Sequence, residues 1–374
     1  MKITKKNCFN LLILSLLFLS FIDSVYAIKR RKRFLNVRHE TGDAEIEGEE
    51  ETPSCESQKI DPENYDLRLH VGSLFIILVT SSFGAFLPVV TKGNPKIKLP
   101  RTVYFICKHF GTGVILATSF IHMIPSSFEN LTNECLGKVW TEYSAWAGVI
   151  AMMAALFVFF IEYLSIKSTS QVKDKELPRN NIVIKNLDND DDDDDVEDDN
   201  FHSHGTILLL SSEQQTLGVI ILEIGICIHS VIIGMALAVT VGSDFISLFI
   251  ALIFHQLFEG LGLGSRIAET NFSKKSIKPW LMSLAYGTTT PIGIAIGIIA
   301  HESYDPGSAT AIIVQGVLDS VSAGILLYVA LVELIAHDFI FDPTFRKKKN
   351  LTQTTGFVCL ISGAAAMAVI GRWA

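Results

Sequence analysis

Long apolar stretches recur along the chain and are separated by shorter polar segments. From residue 69 onward, eight of them are long enough to cross a bilayer, since a spanning helix needs roughly 20 mostly apolar residues. The stretches are too long and too continuous for barrel strands, and helices close their own backbone hydrogen bonds in lipid. The pattern therefore predicts an all-α membrane protein with eight transmembrane helices. We number them span 1 to span 8, and they lie near residues 69–91, 102–125, 143–166, 215–240, 245–265, 279–301, 309–337 and 353–371.

Composition supports this fold class. The chain has 374 residues, of which 49% are hydrophobic, and its mean hydropathy is +0.38. A soluble domain of this length would not need so much apolar surface. Much of the net charge of −8 is concentrated in two polar segments, residues 40–51 and 190–199. Basic residues sit at the predicted membrane edges, so the footprint of a nucleic-acid-binding protein is absent.

The N-terminus has the features of a secretory signal peptide. Basic residues precede an apolar stretch at 9–22, and small residues precede a predicted cleavage point after Ala27. An uncleaved ninth span is the alternative. Cleavage of residues 1–27 would leave residues 28–68 as an extracellular or luminal tail, followed by spans 1–3 within 69–166 and spans 4–8 within 215–374.

Loop charges give the orientation. The loops at 92–101, 266–278 and 338–352 carry four basic residues each, with Arg266 counted in the second, whereas the short loops on the other side carry only Lys138. This positive-inside bias predicts an external N-terminus.

The same orientation makes residues 167–214 a cytoplasmic loop. The segment has few apolar residues and contains an unbroken acidic run, so we predict that it is disordered. It also contains His202 and His204. A solvated tether and a weak metal-capture segment are the two interpretations of these histidines.

Three ionisable residues lie at membrane depth. His229 is in span 4, and His255 and Glu259 are in span 5. Each such group costs at least about 2.5–3.5 kcal/mol on insertion scales, so it needs a partner or an ion. Positions four apart share a helix face, and two imidazoles with a carboxylate suit Zn²⁺ and similar divalent metals. Hydrogen-bonded core residues are the competing interpretation. Glycines after His229 and Glu259, such as Gly234, would let helices approach or open locally.

These residues carry a family resemblance. The strings 229-HSVIIG-234 and 255-HQLFEGLGLG-264 resemble the signature of the Zrt-, Irt-like protein (ZIP) family of divalent metal transporters, and 111–125 and 323–339 are also similar to that family. The resemblance covers residues 65–374. It implies a ZIP-type bundle in which spans 1–3 and spans 6–8 form an inverted repeat around spans 4–5.

The resemblance also implies the site. His229, His255 and Glu259 would form one primary metal site, with Ser230 and Gln256 as neutral neighbours. Ile233 stands where many family members place a glutamate that bridges a second metal. This departure resembles the plant and fungal branch and predicts a single strongly bound ion.

Other polar residues near the span ends have weaker assignments. An entrance residue and a satisfied interfacial histidine are the two interpretations of His122. Glu333, His337 and Asp338 end span 7 and are predicted either to form an exit or to snorkel to the interface. Asp319 lies in span 7, and its role is open. Cys55 and Cys135 both fall outside, where disulfides persist, and are expected to pair.

We therefore expect a carrier that moves Zn²⁺ into the cytosol by alternating access, without a resident cofactor. Iron(II) or manganese is the alternative substrate. An intramembrane metallohydrolase is disfavoured because Gln256 follows His255 and the sequence has no HExxH motif. A metal-sensing receptor is a third class. The expected location is the plasma membrane, with the vacuole or Golgi as alternatives. The partners are the metal ion and the bilayer, and a homodimer is one alternative for the oligomeric state.

Overall fold

The computed structural model describes Cys55 and residues 65–93, 100–176, 212–270, 272–273, 276–301 and 305–372. This part of the chain is helical, and it contains eight helical stretches long and apolar enough to cross a membrane. The prediction of an all-α membrane protein with eight spans is confirmed. In chain order the stretches are Leu67–Lys92, Thr102–Leu131, Trp146–Lys167, Gln215–Val239, Gly242–Glu269, Lys278–Ala300, Ala309–Phe341 and Asn350–Ile370.

The helices of spans 3 and 4 extend beyond the predicted spans into the polar segment between them. Span 3 is part of the helix Trp146–Glu176, so residues 167–176, assigned above to a disordered loop, are helical. Lys, Gln and Glu in this segment are good helix formers, which explains the continuation. Span 4 is part of the helix Ser212–Val239. The predicted signal peptide, most of the N-terminal tail, His202 and His204 lie outside the described residues.

The spans pack as two groups. Spans 1, 4, 5 and 6 pack against one another, and spans 2, 3, 7 and 8 form the second group. The two groups meet mainly where span 2 crosses span 5 and where span 7 crosses span 4. At the first crossing, Gly111 lies against Gly262, and a Cβ atom on Gly262 would lie 2.9 Å from the Cα of Gly111. Only glycine allows this backbone contact, as expected for close helix pairs in membranes.

The helices of spans 4 and 5 run without interruption through the predicted site. The expectation that glycines open these helices locally is therefore wrong. Gly234 instead lets span 4 approach span 6, because a Cβ atom there would lie 3.0 Å from the backbone nitrogen of Ile294. The α-helical pattern changes elsewhere, into π-helical segments at Thr118–Met123 in span 2 and Val329–Phe341 in span 7.

A disulfide bond joins Cys55 to Cys135, with their Cα atoms 4.6 Å apart. It links the segment that precedes span 1 to the loop that follows span 2. This is the pairing expected from the predicted external location of both cysteines.

Candidate metal centre

His255 and Glu259 form the centre of a fully buried polar cluster. They lie one turn apart on span 5, and both side chains are 0% exposed. Nε2 of His255 is 3.5 Å from Oε2 of Glu259. His229 approaches from span 4, where it is 5% exposed, and its ring centre is 5.8 Å from that of His255. The structure thus brings together the three residues that the sequence singled out.

A third imidazole joins them. His122 lies in the π-helical segment of span 2, is 8% exposed, and packs edge-on against His255 with ring centres 5.3 Å apart. A π-helical turn inserts an extra residue and re-aims the side chains around it, and such turns are frequent at functional sites. His122 is therefore adjacent to the predicted ligands, a position that the assignment to an entrance did not anticipate.

Most side-chain polar atoms of this cluster lack hydrogen-bond partners. Among the described residues, twelve buried side-chain nitrogen or oxygen atoms have no hydrogen-bond partner, and eight of these belong to the cluster. Leaving such groups unpaired typically costs about 1–3 kcal/mol each, so their concentration at one place requires a ligand or solvent. The eight are Nε2 of His122, Nε2 of His229, Oγ of Ser230, both ring nitrogens of His255, Nε2 of Gln256 and both carboxylate oxygens of Glu259.

The spacing of pairs fits a zinc ion. Two ligand atoms about 2.0 Å from a tetrahedral zinc are about 3.3 Å apart, and two imidazoles on one zinc have ring centres about 5 Å apart. Nε2 of His255 and Oε2 of Glu259 are 3.5 Å apart, close to the first value. The ring centres of His122 and His255 are 5.3 Å apart, close to the second. No three His, Cys, Asp or Glu side chains in the described segments enclose an ion as they stand. A shared coordination centre therefore needs side-chain rotation.

Asp319 is the residue that the sequence left without a role. It is 2% exposed, and its Oδ1 lies 3.5 Å from Nδ1 of His229. Its other oxygen accepts a hydrogen bond of 2.9 Å from Oγ of Ser126. The sequence signal for Asp319 is an acidic residue inside a span, but its facing partner depends on how span 7 is rotated against span 4.

The neutral neighbours are buried beside the ligands. Ser230 and Gln256 are both 0% exposed, and Oε1 of Gln256 accepts a hydrogen bond of 3.3 Å from Oγ of Ser81. Tyr286 fixes the backbone here, because its hydroxyl donates to the carbonyl of Gln256 at 2.7 Å. Ile233 is 8% exposed and belongs to an apolar cluster formed by residues of spans 1, 4, 5 and 6.

An ion-pair network closes the end of the bundle that the loop charges assign to the cytoplasm. Arg266, counted above as a loop charge, lies inside the helix of span 5 and is only 6% exposed, so that assignment is wrong. Its guanidinium pairs with Asp338 of span 7 at 2.7 Å and donates to Oγ1 of Thr112 at 2.5 Å. Lys108 of span 2 reaches the same carboxylate at 3.1 Å. Arg266 is seven residues beyond Glu259, which puts both on one helix face.

The three residues predicted to form an exit do not share one environment. The Asp338 carboxylate is engaged by two cations, whereas Nδ1 of His337 lies 3.5 Å from it and is partly exposed. The Glu333 carboxylate packs against Gly218 of span 4, where no Cβ atom would fit. The exit role of these residues remains a prediction.

A cavity of ≈ 350 Å³ lies at the opposite, predicted outer end. It is bounded by span 4, the start of span 5 and span 7. Its lining includes Ile232, Asp244, Gln315 and Leu318. Ile232 is within one turn of His229, and Leu318 directly precedes Asp319, so the cavity extends along spans 4 and 7 toward the polar cluster, although no cluster residue lines it.

Comparison with known proteins supplies an independent line of evidence. A sequence profile of the family described as ZIP zinc transporter matches residues 67–371. The chain is 33% identical to zinc-regulated transporter 2 of Saccharomyces cerevisiae, across 82% of this chain and 94% of that protein. It is 35% identical to zinc-regulated transporter 1 of the same yeast, across 83% and 89%. It is also 35% identical to zinc transporter 7 of Arabidopsis thaliana, across 99% of both chains.

Proposed function

The chain belongs to the ZIP zinc transporter family, and from this premise we propose that His229, His255 and Glu259 bind the zinc ion in transit. The protein is a multi-pass integral membrane protein that transports zinc, and it is not an enzyme. The ion is the substrate, and we propose no resident cofactor.

One observation carries the assignment of the site. Eight buried polar atoms without hydrogen-bond partners cluster where spans 2, 4 and 5 meet. Imidazole nitrogens and carboxylate oxygens are the ligands that Zn²⁺ prefers, and a bound ion would satisfy several of these atoms at once.

His122 is proposed as the fourth protein ligand. Its Nε2 atom is buried and unpartnered, and its ring touches that of His255. A ligand from span 2 would tie the ion to both groups of helices. When the site opens to one side of the membrane, a water molecule could replace His122 as a ligand. The ion could then leave, as a carrier requires.

A single primary ion is proposed because position 233 lacks a carboxylate. Ile233 is surrounded by apolar side chains, and Ser230 and Gln256 add no charge. A second divalent ion at this place would find no carboxylate at position 233 to share with Glu259, so it would bind weakly.

Transport into the cytosol by alternating access is proposed from the asymmetry of the two ends. The cavity at the predicted outer end reaches Ile232, one turn beyond His229 in span 4, whereas ion pairs between Arg266, Asp338 and Lys108 fill the opposite end. Zinc would enter from the cavity and leave once those ion pairs separate. We propose the plasma membrane as the location.

The test is zinc uptake into vesicles that contain the purified protein, with Fe²⁺, Mn²⁺ or Cd²⁺ as competitors. Saturable zinc flux that is lost in a His255→Ala variant would support the site. Flux that persists in that variant would place the site elsewhere, and stronger competition by Fe²⁺ or Mn²⁺ than by unlabelled Zn²⁺ would overturn the preference for zinc.

A further inference from the structure

Asp319 is a buried carboxylate that the proposed ligand set does not use. It lies in span 7, outside spans 2, 4 and 5, which carry the proposed ligands, and it is 2% exposed. Burying a carboxylate is costly unless its oxygens are hydrogen-bonded. In the described part of the chain, its ion-pair contact is His229, with Oδ1 of Asp319 3.5 Å from Nδ1 of the ring.

The second oxygen of Asp319 is held by span 2. Ser126 Oγ donates to Oδ2 at 2.9 Å, and Ser126 Oγ in turn accepts from Nδ2 of Asn130 at 3.4 Å. Span 7 packs closely here, because Gly316 lies against Leu131 with no room for a Cβ atom. The carboxylate is thus fixed by spans 2 and 7, and its other oxygen, Oδ1, is directed at the imidazole of His229 in span 4.

We propose that Asp319 is a positioning residue for His229. In a neutral imidazole one ring nitrogen donates and the other accepts. A carboxylate at Nδ1 selects the tautomer that carries its proton on Nδ1, and this leaves the Nε2 lone pair for the zinc ion. Nε2 of His229 is buried without a hydrogen-bond partner, as this arrangement requires.

The arrangement has a known energetic effect in other proteins. A carboxylate behind a metal-binding histidine holds the ring in place and raises its basicity, and removing such a partner typically weakens metal affinity about 10–100-fold. The inference rests on the proposed function, because it requires that His229 binds the transported ion. It differs from a role as direct ligand, in which Asp319 itself would touch zinc.

The experiment compares four variants in reconstituted vesicles: Asp319→Leu, Asp319→Asn, Ser126→Ala and Ser127→Ala. Asparagine keeps an oxygen that can accept a hydrogen bond from the Nδ1–H group of His229, whereas leucine does not. Ser127 is the matched control for Ser126, because its buried hydroxyl donates to the carbonyl of Ile124 in its own helix at 2.8 Å. Initial rates of zinc uptake give KM and the maximal rate, and zinc titration of the purified protein gives the affinity without transport.

For Asp319→Leu we expect an increase in KM of about 10–100-fold, with a maximal rate much closer to that of the unmodified protein. Asp319→Asn should recover part of the affinity, Ser126→Ala should raise KM modestly, and Ser127→Ala should leave it unchanged. If Asp319→Leu does not fold, Asp319→Asn and Ser126→Ala still test the proposal through KM.

Three outcomes would overturn it. One is an unchanged zinc affinity and KM in Asp319→Leu. Another is complete loss of zinc binding in Asp319→Asn, which would identify a direct ligand. The third is an equal effect of Ser126→Ala and Ser127→Ala. A His229→Ala variant measured in parallel separates this proposal from the proposed function: normal transport in that variant rejects the site itself, whereas failure of the Asp319 variants alone rejects only the positioning role.

Discussion

Arg266 and Asp338 form a buried ion pair between span 5 and span 7, with Nη2 of the guanidinium 2.7 Å from Oδ2 of the carboxylate. Both side chains are almost completely removed from solvent, at 6% and 4% exposed. Span 5 belongs to the group of helices that carries His255 and Glu259, and span 7 belongs to the other group. The pair therefore couples the two groups at the end of the bundle that the loop charges assign to the cytoplasm.

The first prediction concerns this pair. Removing one member of a buried pair leaves the other charge uncompensated and typically costs about 3–5 kcal/mol, whereas replacing both by apolar residues is often neutral. Asp338→Ala should therefore lower the thermal unfolding midpoint of the purified protein, with Glu269, 3.7 Å from Arg266, offsetting part of the unpaired charge. Arg266→Met combined with Asp338→Leu should recover much of the loss, because Lys108 keeps its ion pair with Glu269 at 2.9 Å. Equal midpoints for the single and double variants would show that the pair contributes little.

The second prediction concerns the ligands. His229→Ala and Glu259→Ala should each abolish saturable zinc uptake while the protein remains folded and inserted, because each removes an atom that would contact the ion. Uptake is measured together with the amount of protein in the membrane. His109→Phe is the control, since His109 is buried in an aromatic cluster with Phe105 and Phe339, apart from the site. Normal transport by either alanine variant would exclude that residue as an essential ligand.

The third prediction uses Ile233. It follows His229 by four residues and shares its helix face, and its surroundings are apolar. Ile233→Glu would bury a carboxylate there, so the zinc-free variant should be less stable than the unmodified protein. Zinc should raise its unfolding midpoint by a larger amount, because a cation between two carboxylates relieves their repulsion.

The same variant should bind zinc more tightly, with two ions in place of one, and turn over more slowly because release is slower. Zinc stoichiometry, affinity and initial uptake rates are measured on Ile233→Glu and on Ile233→Gln, which has a similar size but no charge. An identical response of the two variants to zinc would reject the one-ion argument.

The fourth prediction concerns the loop between spans 3 and 4. Deleting 190–204 removes the acidic run together with His202 and His204, and it should leave the maximal zinc flux nearly unchanged, because the proposed pathway uses none of these residues. Flux is compared at equal surface levels of the two proteins. A complete loss of flux under that condition would show that the loop takes part in transport.

The sequence alone predicts the fold class and the core of the site for a simple reason. Apolar length identifies spans, and the four-residue spacing of His255 and Glu259 fixes one face without any tertiary information. The place of His229 follows because the connection between spans 4 and 5 is too short for any arrangement but antiparallel neighbours. These relationships are local, so they can be predicted without knowing how the remaining helices pack.

The residues that were missed depend on packing between distant spans. Asp319 reaches His229 only because span 7 is rotated to face span 4. His122 reaches His255 because of a π-helical turn, which the pattern of apolar residues in span 2 does not predict. Arg266 was assigned to a loop because basic residues are common at membrane edges, although its spacing of seven from Glu259 could have placed it on the same face. In each case the missing information was the position of a partner from another helix.

The contact between Gly111 and Gly262 has a consequence for the speed of the transport cycle. Side chains that interlock across a helix crossing must be pulled apart before the helices can move, and each lost contact adds to the activation barrier. At this crossing two backbones touch directly, and next to the contact the rings of Phe110 of span 2 and Phe258 of span 5 interlock edge to face. A shift of span 5 along span 2 would therefore have to separate these aromatic rings as well as the ion pair of Arg266. The speed of such a shift is therefore set by packing and charge together, because breaking the ion pair alone would leave the packed rings in place.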